Sequence, residues 1–237
     1  MKRILSRLRR AAEDYHMIED GDRIAVGVSG GKDSLVALLA MKQLQRFYPK
    51  QFYLEAITIN MGFDNMDFSE VEKLCKEHDI PYHTENSDIK QIIFDYRKEE
   101  NPCSLCANLR RGAMCTAAKQ RNINKIVYGH HFDDVINTFY LSLLYEGRIN
   151  CFAPVTYLER MDVTVIRPLI YVEEKDVACF AKKMGLPVVK STCPADKNTK
   201  RQYVADLLFA LDKENPGLKQ RIFTAVQKSE IKGWRVD

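Results

Sequence analysis

Residues 23–39 read RIAVGVSGGKDSLVALL, and this stretch decides the fold. Its first part, residues 24–28, is short, apolar and β-branched, the composition of a buried strand. Ser29, Gly30, Gly31, Lys32, Asp33 and Ser34 follow, and then Leu35, Leu38 and Leu39 recur at helical spacing. A strand, a glycine-rich turn and a helix N-terminus in that order make an anion site. Glycines let the backbone approach a phosphate closely, and the unpaired first-turn N–H groups and the helix dipole favour negative charge. Ser29 and Ser34 add hydroxyl donors. The stretch predicts a phosphate cradle.

Two familiar cradles do not match. A Walker A loop has four residues between its first Gly and the Gly-Lys-Ser/Thr, with a Mg²⁺-binding hydroxyl after the lysine. Here only three residues separate Gly27 from Gly31, and Asp33 follows Lys32. No G-x-G-x-x-G can be laid on these glycines, which excludes the dinucleotide fingerprint. A plain glycine turn capped by Asp33 is the competing reading. The string SGGKDS resembles the signature of the PP-loop pyrophosphatases, which cleave ATP to AMP and pyrophosphate, and it stands where strand, loop and helix occur in the required order.

At 237 residues the chain suits one sizeable domain with a small appendage. Its 46% hydrophobic and 29% charged residues are ordinary for a globular protein. No apolar run reaches transmembrane length, and the basic start lacks the apolar region of a secretory signal. A transit peptide is the rival for that start, but Glu13, Asp14, Glu19 and Asp20 lead at once into the first strand. A cytoplasmic location is expected. The net charge of +4 alone does not specify nucleic acid. Its clusters (Arg7, Arg9 and Arg10; Arg110 and Arg111; Lys197, Lys200 and Arg201) point modestly to an anionic partner. Seven cysteines, an odd count, argue against a disulfide framework and raise metal or redox chemistry.

Residues 3–17 form an amphipathic helix with Ile4, Leu5, Leu8, Ala11, Ala12 and Tyr15 on one side. Further strands are expected at 52–59, 82–84, 125–128, 163–166 and 188–190. Helices are expected at 69–78, 88–96, 105–121, 132–144, 173–184, 199–210 and 216–229. Ser69 and Glu72 read as a capping box, and 147–159 as loop. Alternating strands and helices give an α/β fold: a parallel sheet of about five strands, covered on both faces, with ligands beyond the strands' carboxyl ends. Residues 1–20 are expected to be a basic helix, 21–190 the ATP-binding domain, and 191–237 a helical extension packed on it.

A second constellation follows the strand at 125–128: Gly129, His130, His131, Phe132, Asp133 and Asp134. Again a strand end meets a helix start, so it faces the same crevice. Adjacent carboxylates beside phosphates repel unless a cation intervenes, which suggests Mg²⁺ with Asp133 as a candidate ligand. One of the two aspartates is expected merely to cap its helix.

Cys103 and Cys106 stand three apart at a helix entry, on one side of the helix, about 5–6 Å apart at Cβ. Arg110 and Arg111 and the helix N-terminus favour their thiolates. Cys115 falls on the opposite face; with Cys75 and Cys179 it reads as a core residue. Cys151 is unplaced. Cys193 follows the last expected strand, near the crevice. Three thiolates converging there would leave one iron of a four-iron cluster open, unlike a closed four-ligand zinc or cluster site. Unrelated surface and core cysteines are the alternative.

Taken together, LRR (8–10), MIEDGDRIAVGVSGGKDS (17–34), PCSLCANLRRGAM (102–114), GHHFDDVINTF (129–139), VIRPLIYVEEKD (165–176) and RQYVADLLFALDKENPG (201–217) resemble the tRNA 2-thiocytidine synthetase family (TtcA) over nearly the whole chain. The resemblance implies an adenine nucleotide alpha hydrolase-like fold and a [4Fe-4S] cluster on Cys103, Cys106 and Cys193. It also implies ATP-driven activation of the C2 oxygen of a cytidine in the anticodon loop, followed by sulfur insertion. ATP would be bound by Val28, Ser29, Gly30, Gly31, Lys32, Asp33, Ser34, Gly129, His130 and Asp134, with Asp33 and Asp134 serving ATP and Mg²⁺ and Arg110 near the cluster. Asp33, Arg110 and Asp134 would be the catalytic groups. tRNA, a sulfur donor such as a cysteine desulfurase, and a second copy of the chain are the implied partners. Many members carry a second C-x-x-C where this chain has Cys193-Pro194-Ala195-Asp196, with one thiol. Thiolation of another base such as uridine, or a nucleotide-binding Fe–S sensor without catalysis, are the alternatives. Neither terminus carries the zinc-finger cysteines typical of 2-thiouridine synthetases, and a sensor needs no such polarised phosphate site.

Overall fold

The structure is a computed structural model, and it describes residues 1–64, 66–97, 102–190, 192–193 and 200–236. Among these residues six strands form one sheet in the order β3-β2-β1-β4-β6-β5. They are β1 (Asp22–Gly27), β2 (Phe52–Asn60), β3 (Tyr82–Asn86), β4 (Lys125–Val127), β5 (Val155–Leu158) and β6 (Val163–Ile166). All neighbours are parallel except the β5–β6 edge pair. In β1 the pleat sends Ile24 and Val26 to one face and Ala25 to the other, and each face is closed by its own apolar cluster.

Among the described residues the α-helices are α1 (Lys2–Asp14), α2 (Lys32–Gln45), α3 (Ser69–Glu77), α4 (Pro102–Gln120), α5 (Phe132–Glu146), α6 (Glu174–Lys183), α7 (Lys200–Glu214) and α8 (Leu218–Lys228). On the first face lie α1, α2 and α5 to α8. Ile4 and Leu8 of α1, Val204 and Leu208 of α7, and Phe223 and Val226 of α8 all enter one cluster with α2. Helix α2 is buried almost all round from Ser34 to Met41, which fits its apolar composition and its place at the centre. The second face is covered by α4 and a short π-helix (Gln91–Tyr96), whose Met114 and Ile93 join the sheet residues Ile57 and Ile126 in one cluster. No helix among the described residues is long and apolar enough to cross a membrane.

Several local expectations give way to tertiary context. Residues 155–158, expected as loop, are the antiparallel edge strand; four residues carry little periodic signal, and their order comes from pairing with β6. Residues 188–190 are not a strand: Val189 donates one backbone bond to Gly30 O at 3.0 Å and joins no ladder. Ser69 does not cap α3; Asp67 accepts both its N–H (2.8 Å) and its hydroxyl (3.0 Å). Helix α4 starts earlier than its apolar period suggests because Pro102 opens it, where a missing N–H costs nothing.

The N-terminal basic cluster is spoken for. Arg7 pairs with Glu173 (3.0 Å) and Asp176 (3.1 Å), Arg9 with Glu13 (2.7 Å) and Arg10 with Asp14 (3.4 Å). The N-terminal arginines therefore brace α1 against α6 and themselves rather than forming a free cationic patch. Lys197 lies outside the described residues.

Candidate active site

The site is built where β1 and β4 end. Val28 continues β1, its N–H donating to Ile57 O (2.8 Å) and its carbonyl accepting from Thr58 Oγ1 (2.9 Å). The turn then braces itself. Ser29 N–H donates to Ser34 Oγ (3.2 Å), and the Ser34 hydroxyl donates to Gly31 O (2.8 Å). Gly30 sits at φ +80, and a Cβ there would lie 2.7 Å from Val189 Cβ, so both conformation and space demand glycine. Gly31 opens α2 with no side-chain cap, leaving the first-turn N–H groups of Lys32, Asp33 and Ser34 without intrahelical acceptors.

Gly129 closes the opposite wall. A Cβ on it would meet Asp33 O at 2.7 Å, so only glycine lets the β4–α5 turn touch the start of α2. That contact brings the two motifs together around buried His131, whose Nε2 lies 3.8 Å from Asp33 Oδ1 and 3.5 Å from Asp134 Oδ2. Lys32 Nζ pairs with Asp33 (3.1 Å) and Glu174 (3.2 Å). Burial works against its ammonium, but the two carboxylates outweigh it and raise its pKa.

The adjacent aspartates have parted roles. Asp134 Oδ2 accepts the His131 N–H (3.0 Å), capping α5, while its Oδ1 lies 3.5 Å from Arg201 at the cleft. Asp133 points away. Its Oδ2 accepts the N–H of Glu174, the first residue of α6 (2.8 Å), and its Oδ1 binds Lys219 Nζ of α8 (2.9 Å). Asp133 is thus a structural anchor with both oxygens engaged, which corrects its expected place at a Mg²⁺ ion. The carboxylates that face the cleft are Asp33 and Asp134, and Asp33 Oδ1 accepts no aligned hydrogen bond despite its ion pair with Lys32.

Between these walls runs a cleft of about 400 Å³. Gly27, Val28, Ser29, Asp33 and Ser34 line its β1 side, with Ile59 and Met114 as an apolar slot. Arg110 and Arg111 of α4, Arg167 after β6, and Arg201 of α7 also reach it. Four guanidiniums against two carboxylates make it a site for a polyanion. Arg167 was not singled out by sequence reading, and Arg201 only as one of a basic cluster. Arg167 carried a usable signal, a lone cation at a strand's carboxyl end before Pro168; Arg201 carried only its basic cluster, and its place at the cleft comes from the tertiary docking of α7.

At its inner end the cleft holds Tyr128, His130 and Arg167. Burial, with Arg167 beside it, pushes His130 down to about 4, so its imidazole is neutral. Burial pushes Arg167 down to about 10, and the phenol of Tyr128 up to about 12, which leaves Arg167 charged and Tyr128 protonated at neutral pH. Among the described residues four buried side-chain polar atoms lack a hydrogen-bond partner: Asp33 Oδ1, His130 Nδ1, His131 Nδ1 and Arg167 Nε. All four belong to this site, and buried polar groups elsewhere in folded proteins are almost always paired.

The same helix that supplies Arg110 carries Cys103 and Cys106 at its start. Cys103 is exposed; Cys106 and Cys193 are half-buried. Burial pushes the Cys106 thiol up, against the pull of Arg110, and the like charges of Cys193 and Cys103 push the same way. The helix and arginines therefore do not give Cys106 a free thiolate, contrary to expectation, because desolvation wins. The charges of Cys193 and Cys103 are felt at Cys106, and three thiols are a soft donor set of the kind that iron takes. Among the described residues no three such groups converge closely enough to hold a metal ion as they stand. Cys75, Cys115 and Cys151 are buried, whereas Cys179, expected in the core, is exposed on α6.

Comparison with known proteins bears on this geometry. The PP-loop domain family matches residues 2–210. A tRNA-cytidine(32) 2-sulfurtransferase of Geobacter sulfurreducens is 37% identical over 228 residues, covering 95% of this chain and 89% of that one. One from Geotalea daltonii is 40% identical over 229 residues, covering 95% and 90%. Among solved structures, the U34-tRNA thiolase NcsA from Methanococcus maripaludis with its [4Fe-4S] cluster superposes with a TM-score of 0.74 at 25% identity, covering 94% of this chain and 77% of that one. An NH3-dependent NAD synthetase from Campylobacter jejuni shares the fold alone, with a TM-score of 0.53 at 15% identity over 96% and 93% of the two chains. By sequence match along its length and by fold, the chain belongs to the PP-loop domain family and, within it, to the tRNA-cytidine(32) 2-sulfurtransferases.

Proposed function

We propose that the chain is an ATP-dependent tRNA thiolase that replaces the C2 oxygen of a cytidine in the anticodon loop with sulfur. The observation that carries this reading is that α4 bears two cluster-type thiols and, one to two turns on, the arginines that line the nucleotide cleft. The β1–α2 turn binds the pyrophosphate portion of ATP through the uncapped first-turn N–H groups and Lys32. The cytidine O2 then attacks the α-phosphorus, and pyrophosphate leaves with its charge met by Lys32 and the cleft arginines. Sulfide-level sulfur (HS⁻) adds at C2, the C2–O bond breaks so that AMP departs with the former carbonyl oxygen, and the sulfur loses its proton to leave the thiocarbonyl. Asp33 and Asp134 would hold Mg²⁺, which supplies charge neutralisation at the phosphates when bound. Cys103, Cys106 and Cys193 would hold a [4Fe-4S] cluster, which supplies an iron position without a protein ligand for the sulfur to be transferred. Arg110 keeps positive charge between the thiols and the nucleotide.

The proposed partners are tRNA, a cysteine desulfurase as sulfur source and a second copy of the chain, acting in the cytoplasm. Mass spectrometry of tRNA nucleosides from cells with and without the gene tests the reading: 2-thiocytidine should vanish with the gene. Loss of 2-thiouridine in its place would move the target base, and no change in either would remove the thiolase reading. In vitro, one AMP and one pyrophosphate should form per sulfur inserted; ADP would refute the adenylation step.

A further inference from the structure

The unpartnered atoms at the inner end of the cleft differ in kind from a phosphate site. Arg167 is pinned: its Nη1 donates to Ala153 O (2.7 Å) and Thr156 Oγ1 (3.1 Å), and its guanidinium lies 5.0 Å from the Phe152 ring centroid. Its Nε–H is left as a buried donor without a partner. Beside it, the neutral His130 ring is held between Phe152 (4.9 Å between centroids) and Tyr128 (6.0 Å), with Nδ1 unpartnered. With its proton on Nε2, that Nδ1 is an acceptor. An acceptor repels phosphate oxygens, whereas one donor next to one acceptor along an aromatic wall suits the edge of a neutral heterocycle. The topology separates the two functions. The phosphate turn stands at the end of β1, and Arg167 stands at the end of β6, two places along the sheet with β4 between them. A cleft that joins a nucleotide to a second reactant needs such a second subsite.

We infer that His130 and Arg167 form the pocket that selects the reacting base: Arg167 Nε–H donates to cytosine N3, and His130 Nδ1 accepts from the N4 amino group. This deepens the thiolase reading and rests on it. The assignment leaves O2, on the other side of N3, unengaged and free to face the α-phosphate. Uracil presents an N3–H to the arginine donor and an O4 to the histidine acceptor, so both contacts are inverted and the base is refused. His130 and Arg167 are then specificity-determining residues.

The test is binding of fluorescein-labelled anticodon stem–loop RNAs carrying cytidine, uridine or 2-pyrimidinone at the target position, at fixed salt, to the full-length wild type and to His130→Phe and Arg167→Lys. The 2-pyrimidinone keeps N3 and O2 but lacks the amino group. Wild type should prefer cytidine to either analogue by about tenfold, the usual scale for leaving one buried polar group unpaired. His130→Phe, which keeps the ring packing, should bind cytidine and 2-pyrimidinone alike. Arg167→Lys should weaken both equally, preserving their ratio. An unchanged cytidine preference in His130→Phe, or none in wild type, overturns the inference; a merely structural role would weaken all RNAs without moving the ratio. Thermal melts of both variants identify misfolding. Thiolation of cytidine RNA by wild type without this base preference would leave the thiolase reading standing and sink only the pocket. Base preference without pyrophosphate release or thiolation would sink the thiolase reading instead.

Discussion

Replacing Asp133 by Ala separates an anchor from a metal ligand. In the wild type this carboxylate caps the first N–H of α6 and pairs with Lys219, with side-chain exposures of 14% and 27%. Loss of the capping contact costs about 1 kcal/mol. Leaving the half-buried ammonium of Lys219 unpaired costs roughly 1–2 kcal/mol more, below the 3–5 of a fully buried pair. For a chain of this size about 2–4 °C accompanies each kcal/mol, so the melting temperature should fall by roughly 4–12 °C. The double variant Asp133→Ala with Lys219→Met should recover part of that loss, because it removes the stranded charge. Burial works against the Asp133 carboxylate, but the Glu174 N–H and Lys219 outweigh it, so the folded carboxyl titrates below the usual range. The sign follows: its stabilisation is present above the unfolded carboxyl pKa of about 3.9 and is lost as pH falls through the lower folded value. The gap between wild type and variant should therefore hold from about pH 5 to 8 and close below about pH 4. Thermal denaturation followed by circular dichroism reads the stability, and pyrophosphate release titrated with Mg²⁺ reads the site. An unchanged melt together with a steeply raised Mg²⁺ requirement would refute the anchor and restore Asp133 as a metal ligand.

Gly30→Val should destabilise the turn itself, because it demands φ +80 and strikes Val189. Lys32→Met should weaken ATP binding with little loss of melting temperature, so equal losses of both in the two variants would contradict this division. Alanine at Cys103, Cys106 or Cys193 should remove the visible absorption and iron of anaerobically purified protein. Alanine at Cys75, Cys115 or Cys151 should lower the melting temperature but keep the iron, and alanine at exposed Cys179 should change neither; iron persisting without Cys193 would break the three-thiolate set. Binding to tRNA should weaken with salt by roughly 0.7–0.9 in log–log slope per phosphate contact. Charge reversal at Arg9, already paired with Glu13, should leave that slope unchanged, whereas Arg111→Ala should flatten it.

Features legible in the sequence are those that short-range physics fixes. A β-branched run followed by SGGKDS and a leucine period allows little but strand, turn and helix, since the turn needs backbone freedom that glycine alone gives at Gly30. GHHFDD is legible for the same reason, and Gly129 marks the close approach that joins it to α2. The odd cysteine count and the C-x-x-C at the start of α4 raised the metal question without settling the ligand geometry. Burial reversed the expected direction for Cys106, because desolvation depends on the whole surrounding shell and not on nearby charges in sequence.

What tertiary structure alone decided is where equivalent side chains point. Asp133 and Asp134 are indistinguishable as letters. One is claimed by Glu174 and Lys219, 41 and 86 residues away, and the other is left to the cleft. Arg167 becomes a base-facing donor only because the loop ahead of β5 supplies Ala153 and Phe152, and β5 itself exists only as a partner for β6. Arg201 reaches Asp134 because α7 docks on α5. Local sequence sets backbone dihedrals within a few residues, whereas burial, desolvation and charge pairing are summed over neighbours that only the folded chain brings together.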